Sequence, residues 1–177
     1  EKIVTGGALR TLGATLTFQG AVAIMLWAFA RWHALTLSEA FGLNHNARAA
    51  GLLGAAAGLA FVPAALGLQA GLLGIANLLD LHLPEQSAVS LVKSASAPLD
   101  LAALGFMTIV AAPLAEEGLF RCVLYTALRR FGFPRAAIWL ASLAFALIHI
   151  NVLTFIPLFV LALVLTKLYD ITGNLLA

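Results

Sequence analysis

The sequence has few charged residues and only one cysteine, and each scarcity excludes a class of protein. Charged residues make up 10% of the 177 residues and hydrophobic residues 62%, whereas soluble domains are roughly 25% charged. Mean hydropathy is +1.01, which excludes a soluble globular domain and indicates a membrane protein. The single cysteine, Cys122, excludes an internal disulfide and a multi-cysteine metal site. We interpret it as a packed, unreactive thiol.

The net charge is also small, at +2, and too scattered for nucleic-acid binding. Its densest group is Arg129, Arg130 and Arg135, which flank the segment Phe131–Pro134. We interpret this group as a positively charged loop between two helices, on the cytoplasmic side of the membrane. The partners that composition predicts are therefore membrane lipids and not nucleic acids.

Alternation with a period of two residues is absent, so the apolar runs predict helices and not barrel strands. We expect an all-α fold, a polytopic transmembrane helix bundle with about 5–6 spans of ~20 residues, the last of them cut short. Pro63 should kink or break the second run. Asp80–Pro98 forms the longest polar connection. The apolar runs are Leu12–Ala30, Ala49–Leu79, Leu101–Leu114, Ala136–Ile150 and Leu153–Tyr169.

Ionisable residues interrupt two of these apolar regions. Glu116, Glu117 and Arg121 lie within six residues, and His149 ends the run that begins at Ala136. A charge in hydrocarbon costs about 2.5–3.5 kcal/mol even on lenient scales, so such residues persist where they face one another, a cavity or water. Asn151, Asp170 and Asn174 are by contrast interpreted as residues that satisfy helix ends. The first group is the candidate site.

Helical spacing divides the roles within this group. Glu117 and Arg121 are four residues apart, so they are neighbours on one face of an α-helix and form a pair. Glu116 lies on a different face of the helix, so it needs a partner from another helix or has a raised pKa. A raised pKa is what a general base needs. Glu116 and His149 each lie 14 residues from the arginine loop, roughly 21 Å along their helices. At matching depth they would hold and deprotonate a water, with Phe145 one turn below His149.

Three interpretations of the group remain open at this point. It is a buried polar network that fixes helix register, a catalytic or metal site, or a proton or ion pathway. The catalytic or metal site is favoured, because one charged pair is enough to fix the register of two helices and this group contains a further glutamate. The imidazole, in addition, titrates near neutral pH.

Four motifs resemble those of the CAAX protease and bacteriocin-processing family, intramembrane proteases similar to the type II CAAX prenyl endopeptidase and to abortive-infection proteins. The matching residues lie between Leu99 and Ala177, which would make 99–177 the core and 1–98 variable N-terminal transmembrane helices. The motifs are Ala112-Pro-Leu-Ala115, Glu116-Glu117-x3-Arg121, Phe145-x3-His149 and Thr172-Gly-Asn-Leu175.

The resemblance implies a role for each site residue. Glu116 would activate the hydrolytic water, His149 would orient it, and Glu117 and Arg121 would support the site; these four are the expected catalytic residues. Phe120 and Phe145 would line the substrate cavity. No cofactor is required in this interpretation, although a metalloendopeptidase-like variant would place zinc on Glu116 and His149.

The function implied is an intramembrane endopeptidase of the bacterial cell membrane, multi-pass, that hydrolyses membrane-associated or lipid-modified polypeptides. The chain begins at Glu1 and ends at Ala177, before the family's last motif, a histidine with an asparagine or aspartate four residues on. We therefore expect a truncated or degenerate member without full activity in these 177 residues. The alternatives are a non-catalytic immunity or scaffold protein of the same fold, and a small proton-coupled permease.

Overall fold

A computed structural model of the chain describes residues 2–81, 89, 92, 93, 95 and 98–177. The described ranges contain helices and no strand, so the predicted all-α class is confirmed. Most of the predicted polar connection, Asp80–Pro98, lies outside the described residues. The helices before it are α1 (Lys2–Trp32), α2 (Leu37–Ala40) and α3 (Ala47–Leu78), and those after it are α4 (98–130), α5 (Pro134–Ile148) and α6 (Val152–Thr172).

Helix α4 runs without a break but changes its winding twice. It is α-helical over Pro98–Phe106, Ala112–Glu117 and Thr126–Arg130, and π-helical over Met107–Ala111 and Gly118–Tyr125. The first widened turn comes directly before Pro113, where a proline ring would otherwise press on the carbonyl four residues earlier. The second covers the candidate residues Phe120 and Arg121, and π-helical turns are frequent at functional sites.

Three helices in the described part of the chain are long and apolar enough to cross a membrane: Ala47–Leu78, Asp100–Arg130 and Val152–Thr172. Helix α3 continues through Pro63 without the expected break. It exposes large apolar side chains, such as Leu52 and Leu59, as a lipid-facing helix does. These features indicate an integral membrane protein. The predicted count of 5–6 spans and the bacterial location stay predictions.

The chain forms two compact units, and the first comprises the described residues of Glu1–Ala34 and Pro84–Leu119. In this unit α1 contacts the Ala112–Glu117 turn of α4. Its buried side chains are apolar: Val22, Leu26, Ala30, Leu104, Met107 and Ala115. The first unit therefore holds Glu116 and Glu117 on a turn that packs against α1.

The second unit comprises Leu35–Leu83 and Phe120–Ala177. In it α5 packs against α6, α6 against α3, and the end of α4 against α5. Ala137 and Ala162 are completely buried and Ala141 is nearly so, because small side chains let helices approach closely in a membrane protein. This packing sets the positions of Phe120, Arg121, Phe145 and His149. The predicted division of the chain at residue 98 stays a prediction.

Candidate functional site

His149 occupies the turn between α5 and α6. Helix α5 ends at Ile148, His149 is its C-terminal cap, and Ile150 takes a left-handed backbone conformation with φ +45°. Asn151 then starts α6, its side-chain oxygen accepting a hydrogen bond from the Thr154 N–H at 3.2 Å, so its predicted capping role is confirmed. The reversal leaves the imidazole half-buried at the end of α5.

One hydrogen bond fixes the orientation and the tautomer of this imidazole. Nδ1 of His149 lies 2.8 Å from the carbonyl oxygen of Phe145. A carbonyl oxygen only accepts, so Nδ1 carries the proton, and in the neutral ring Nε2 is then an acceptor. The arrangement therefore presents an imidazole nitrogen that can accept a hydrogen bond.

Phe145 is the centre of the contacts around the histidine. Its ring lies 4.8 Å from the His149 ring, as the one-turn spacing predicted, and 5.2 Å from the Phe120 ring in an edge-to-face arrangement. The guanidinium carbon of Arg121 lies 4.8 Å from the Phe145 ring centroid. The structure thus brings Phe120, Arg121, Phe145 and His149 together from α4 and α5.

Arg121 is the largest completely buried side chain, with 0% exposure. Burying an ion costs several kcal/mol unless its surroundings compensate, and an aromatic face supplies part of the compensation. Phe120 and Phe145 are almost as deeply buried. The predicted wall of the site is therefore a packed aromatic and cationic layer beside His149.

Glu116 and Glu117 are half-buried at the end of the Ala112–Glu117 turn, in the first unit. The sequence predicted that Glu116 pairs with His149 and Glu117 with Arg121. Both pairings stay predictions.

Catalytic zinc takes three protein ligands and keeps one open position. The part of the chain that the structure describes brings no three histidine, cysteine, aspartate or glutamate side chains together, and the predicted pair Glu116 and His149 supplies two. Zinc on Glu116 and His149 stays a prediction, and no step proposed below passes through a metal.

A second polar cluster, at the other end of α5, was missed by sequence reasoning. Tyr125 donates its hydroxyl hydrogen to Oδ1 of Asp170 at 2.5 Å, and Arg129 donates to the same oxygen at 2.6 Å. Lys167 Nζ lies 3.0 Å from Asp170 Oδ2. Asp170 therefore joins α4 to α6, and its interpretation as a helix-end residue was wrong. The sequence did contain a signal for this cluster, because Asp170 is a carboxylate close to an apolar run, and the same criterion selected Glu116.

Asn174 has the predicted local role, since its side-chain oxygen accepts a hydrogen bond from the Leu176 N–H at 2.9 Å, and it also makes a long-range contact. Its side-chain nitrogen donates to the His45 carbonyl oxygen at 2.7 Å, and its side chain is 1% exposed. The Leu175 N–H donates to the Phe41 carbonyl oxygen at 3.0 Å. The segment after α6 is thus held against the link between α2 and α3. The backbone of Gly173 lies so close to Gly42 that residue 42 has no room for a side chain.

Comparison with protein families gives one match, described as "Type II CAAX prenyl endopeptidase Rce1-like", over residues 98–177. Residues 98–177 are therefore similar to this family. The resemblance read from the Glu-Glu-x3-Arg and Phe-x3-His motifs is thereby confirmed, and at the level of the family it supports a CAAX-type intramembrane protease. No curated protein matches the chain, and no solved structure matches it.

Proposed function

We propose that the protein is an intramembrane endopeptidase in which Glu116 activates a water that His149 orients. The observation that carries the proposal is the 2.8 Å contact between His149 Nδ1 and the Phe145 carbonyl. It commits Nδ1 as a donor and leaves Nε2 as an acceptor, so one hydrogen of a water can be held by Nε2 and the other by the Glu116 carboxylate. The water's lone pair is then free to attack a carbonyl carbon.

The proposed reaction is general-base hydrolysis. The Glu116 carboxylate takes one proton from the water as the oxygen bonds to the scissile carbonyl carbon. The tetrahedral intermediate then collapses, the carbon–nitrogen bond breaks, and protonated Glu116 gives its proton to the leaving amine. Glu116 returns to its ionised form, and the two products are a carboxylic acid and an amine.

Glu117 and Arg121 support the site in this proposal without touching the water. Arg121 is buried against Phe145, whose carbonyl holds His149, so it is a positioning residue. Phe120 and Phe145 form the apolar wall beside which a substrate segment would lie. A wall of this kind excludes bulk water and strengthens the electrostatic interactions that the reaction uses.

The substrate class follows from the family and the membrane setting. The family that residues 98–177 match is named for cleavage of CAAX prenyl proteins, and three helices of this chain can cross a membrane. We propose a membrane-associated or lipid-modified polypeptide whose scissile bond reaches the apolar layer around Phe145.

The experiment uses the full-length protein in liposomes with a fluorogenic peptide that carries a C-terminal farnesylated cysteine motif. Glu116→Gln keeps the side-chain volume and removes the base, so cleavage should fall by about 10²–10⁴-fold. Asp80→Asn is the matched control, because Asp80 is exposed and has a left-handed backbone, φ +53°, that asparagine also tolerates.

Cleavage by Glu116→Gln at the wild-type rate would refute the proposed base. If the wild-type protein does not cleave the peptide but conducts protons into the liposomes, and Glu116→Gln abolishes the proton conduction, the result would support the permease instead. A wild-type protein that neither cleaves nor conducts, yet binds the intact peptide, would support the non-catalytic scaffold.

A further inference from the structure

Four cationic residues lie on helix segments at the end of the second unit opposite His149 along α5. Arg129 and Arg130 end α4, Arg135 lies in the first turn of α5, and Lys167 lies near the end of α6. The ion pairs of Asp170 with Arg129 and Lys167 join α4 to α6 here. We call these four residues together with Asp170 the basic cluster.

Packing brings the start of α5 to the same place. Ala137, which is completely buried, lies in one apolar core with Tyr125, and Tyr169 packs against that core. Arg135 precedes Ala137 by two residues, and Tyr169 adjoins Asp170. The sequence placed three arginines around one turn, and the structure adds Lys167 from a helix more than thirty residues further along.

The basic cluster concentrates the positive charge of the chain. It holds four cations and one carboxylate, a net of three positive charges, whereas the whole chain carries +2. Arg129 and Lys167 keep 53% and 57% of their side-chain surface exposed while bonded to Asp170. An arginine has five N–H donors and a lysine three, so Asp170 orients these two cations without using all their donors.

The surface around the cations is apolar and aromatic. Phe131 and Phe133, in the turn between Arg130 and Arg135, are 76% and 62% exposed, and Trp139 is 59% exposed one turn further along α5. Aromatic side chains of this kind collect at the boundary between lipid headgroups and acyl chains. A free inorganic anion would contact the cations alone, whereas a phospholipid would contact both surfaces.

We propose that the basic cluster binds the phosphate of an anionic phospholipid, with Phe131 and Phe133 against the upper acyl chains. Inorganic phosphate offers the cations the same anionic oxygens as the lipid does. The exposed rings of Phe131 and Phe133 favour the lipid, because only the lipid has acyl chains to contact them. Each Lys or Arg near an anionic lipid surface contributes to the attraction. The loss of two such cations should therefore weaken lipid binding by about thirtyfold. This inference does not depend on the proposed protease activity.

The experiment measures binding of short-chain phosphatidylglycerol to the full chain in neutral detergent micelles, by the shift in thermal unfolding temperature as lipid is added. Phosphatidylcholine with the same chains and inorganic phosphate are the parallel ligands. The test variant is Arg130→Gln with Arg135→Gln, two exposed residues. The control variant is Arg31→Gln with Arg48→Gln, also exposed, which removes the same charge outside the basic cluster.

We expect phosphatidylglycerol to raise the unfolding temperature more than phosphatidylcholine, and the test variant to require about thirtyfold more of it. The control variant should bind as wild type does. Equal weakening in both variants would show a diffuse charge effect and overturn the proposal. Equal shifts with the two lipids would do the same, and inorganic phosphate acting at the same concentration as phosphatidylglycerol would reassign the cluster to a soluble anion.

Discussion

Helix α5 has a polar group at each end, and the two groups are built differently. At the Pro134 end, Asp170 accepts hydrogen bonds from Tyr125, Arg129 and Lys167, contacts that join α4 to α6. At the other end, His149 is bonded to the carbonyl of Phe145, one turn back in its own helix. The first arrangement holds helices together, whereas the second orients a single ring within one helix.

Burial separates the two ends further. Arg129 is 53% exposed beside its carboxylate, and an exposed ion pair contributes about 0–1 kcal/mol. Arg121 is completely buried, and the desolvation of a buried ion costs several kcal/mol. Arg121 and His149 both contact the Phe145 ring at the buried end, whereas Arg129 belongs to a half-exposed ion cluster that joins two helices.

The largest expected effect is on catalysis, from His149→Ala. Loss of the water-orienting nitrogen should lower cleavage of the farnesylated reporter by about 10²–10⁴-fold. Stability should change by less than about 1 kcal/mol, because the ring is half-buried and at a helix end. Cleavage rate and thermal unfolding of the same preparation are the measurements. His33 is an exposed histidine, so His33→Ala should leave the cleavage rate and the unfolding temperature unchanged. Equal losses of cleavage in the two variants would mean that His149 has no special role at its end of α5.

The same residue type can be compared at both ends of α5. Arg121→Ala should lower the free energy of unfolding by about 3–5 kcal/mol, because in the predicted pair it leaves the Glu117 carboxylate without its partner charge. Arg129→Ala should cost about 1 kcal/mol or less, since Arg129 is half-exposed. Denaturation in mixed detergent micelles measures both. Equal losses would mean that burial of Arg121 carries no energetic weight.

Asp170→Asn should lower the free energy of unfolding by about 1.5–3 kcal/mol, the range for hydrogen bonds to a charged group. Three donors lose the carboxylate at once, although all lie far from His149, so the cleavage rate should not change. Asp80→Asn, exposed at the end of α3, is the control for stability. A fall in cleavage that exceeds the loss of folded protein would show that the junction also serves the reaction.

How well each end could be predicted depends on the sequence separation of its contacts. The His149 and Phe145 contact spans four residues, a distance that the helical period encodes directly. The capping role of Asn151 is local in the same way. Within one apolar run, residue type and spacing were therefore enough to predict which ring lies beside the imidazole.

The Asp170 junction could not be predicted in this way. Its contacts to Tyr125 and Arg129 span 45 and 41 residues, and the Asn174 contact to His45 spans 129. These depend on how α4 and α6 pack, which no local period encodes. The π-helical turns of α4 were also missed, because an apolar run looks the same whether its backbone is wound as an α-helix or a π-helix.

The smallest effect concerns a single hydroxyl. Tyr125→Phe removes the donor to Asp170 and a weaker acceptor, 3.4 Å from Arg129, and should cost about 0.5–1.5 kcal/mol. Combined with Asp170→Asn it should cost less than the sum of the single losses, because both remove one hydrogen bond. Tyr125→Phe with Asp80→Asn is the control pair and should be additive within about 0.5 kcal/mol. Additivity in the Tyr125 and Asp170 pair as well would mean that this bond does not help to join α4 to α6, leaving the ion pairs of Arg129 and Lys167 to hold the junction.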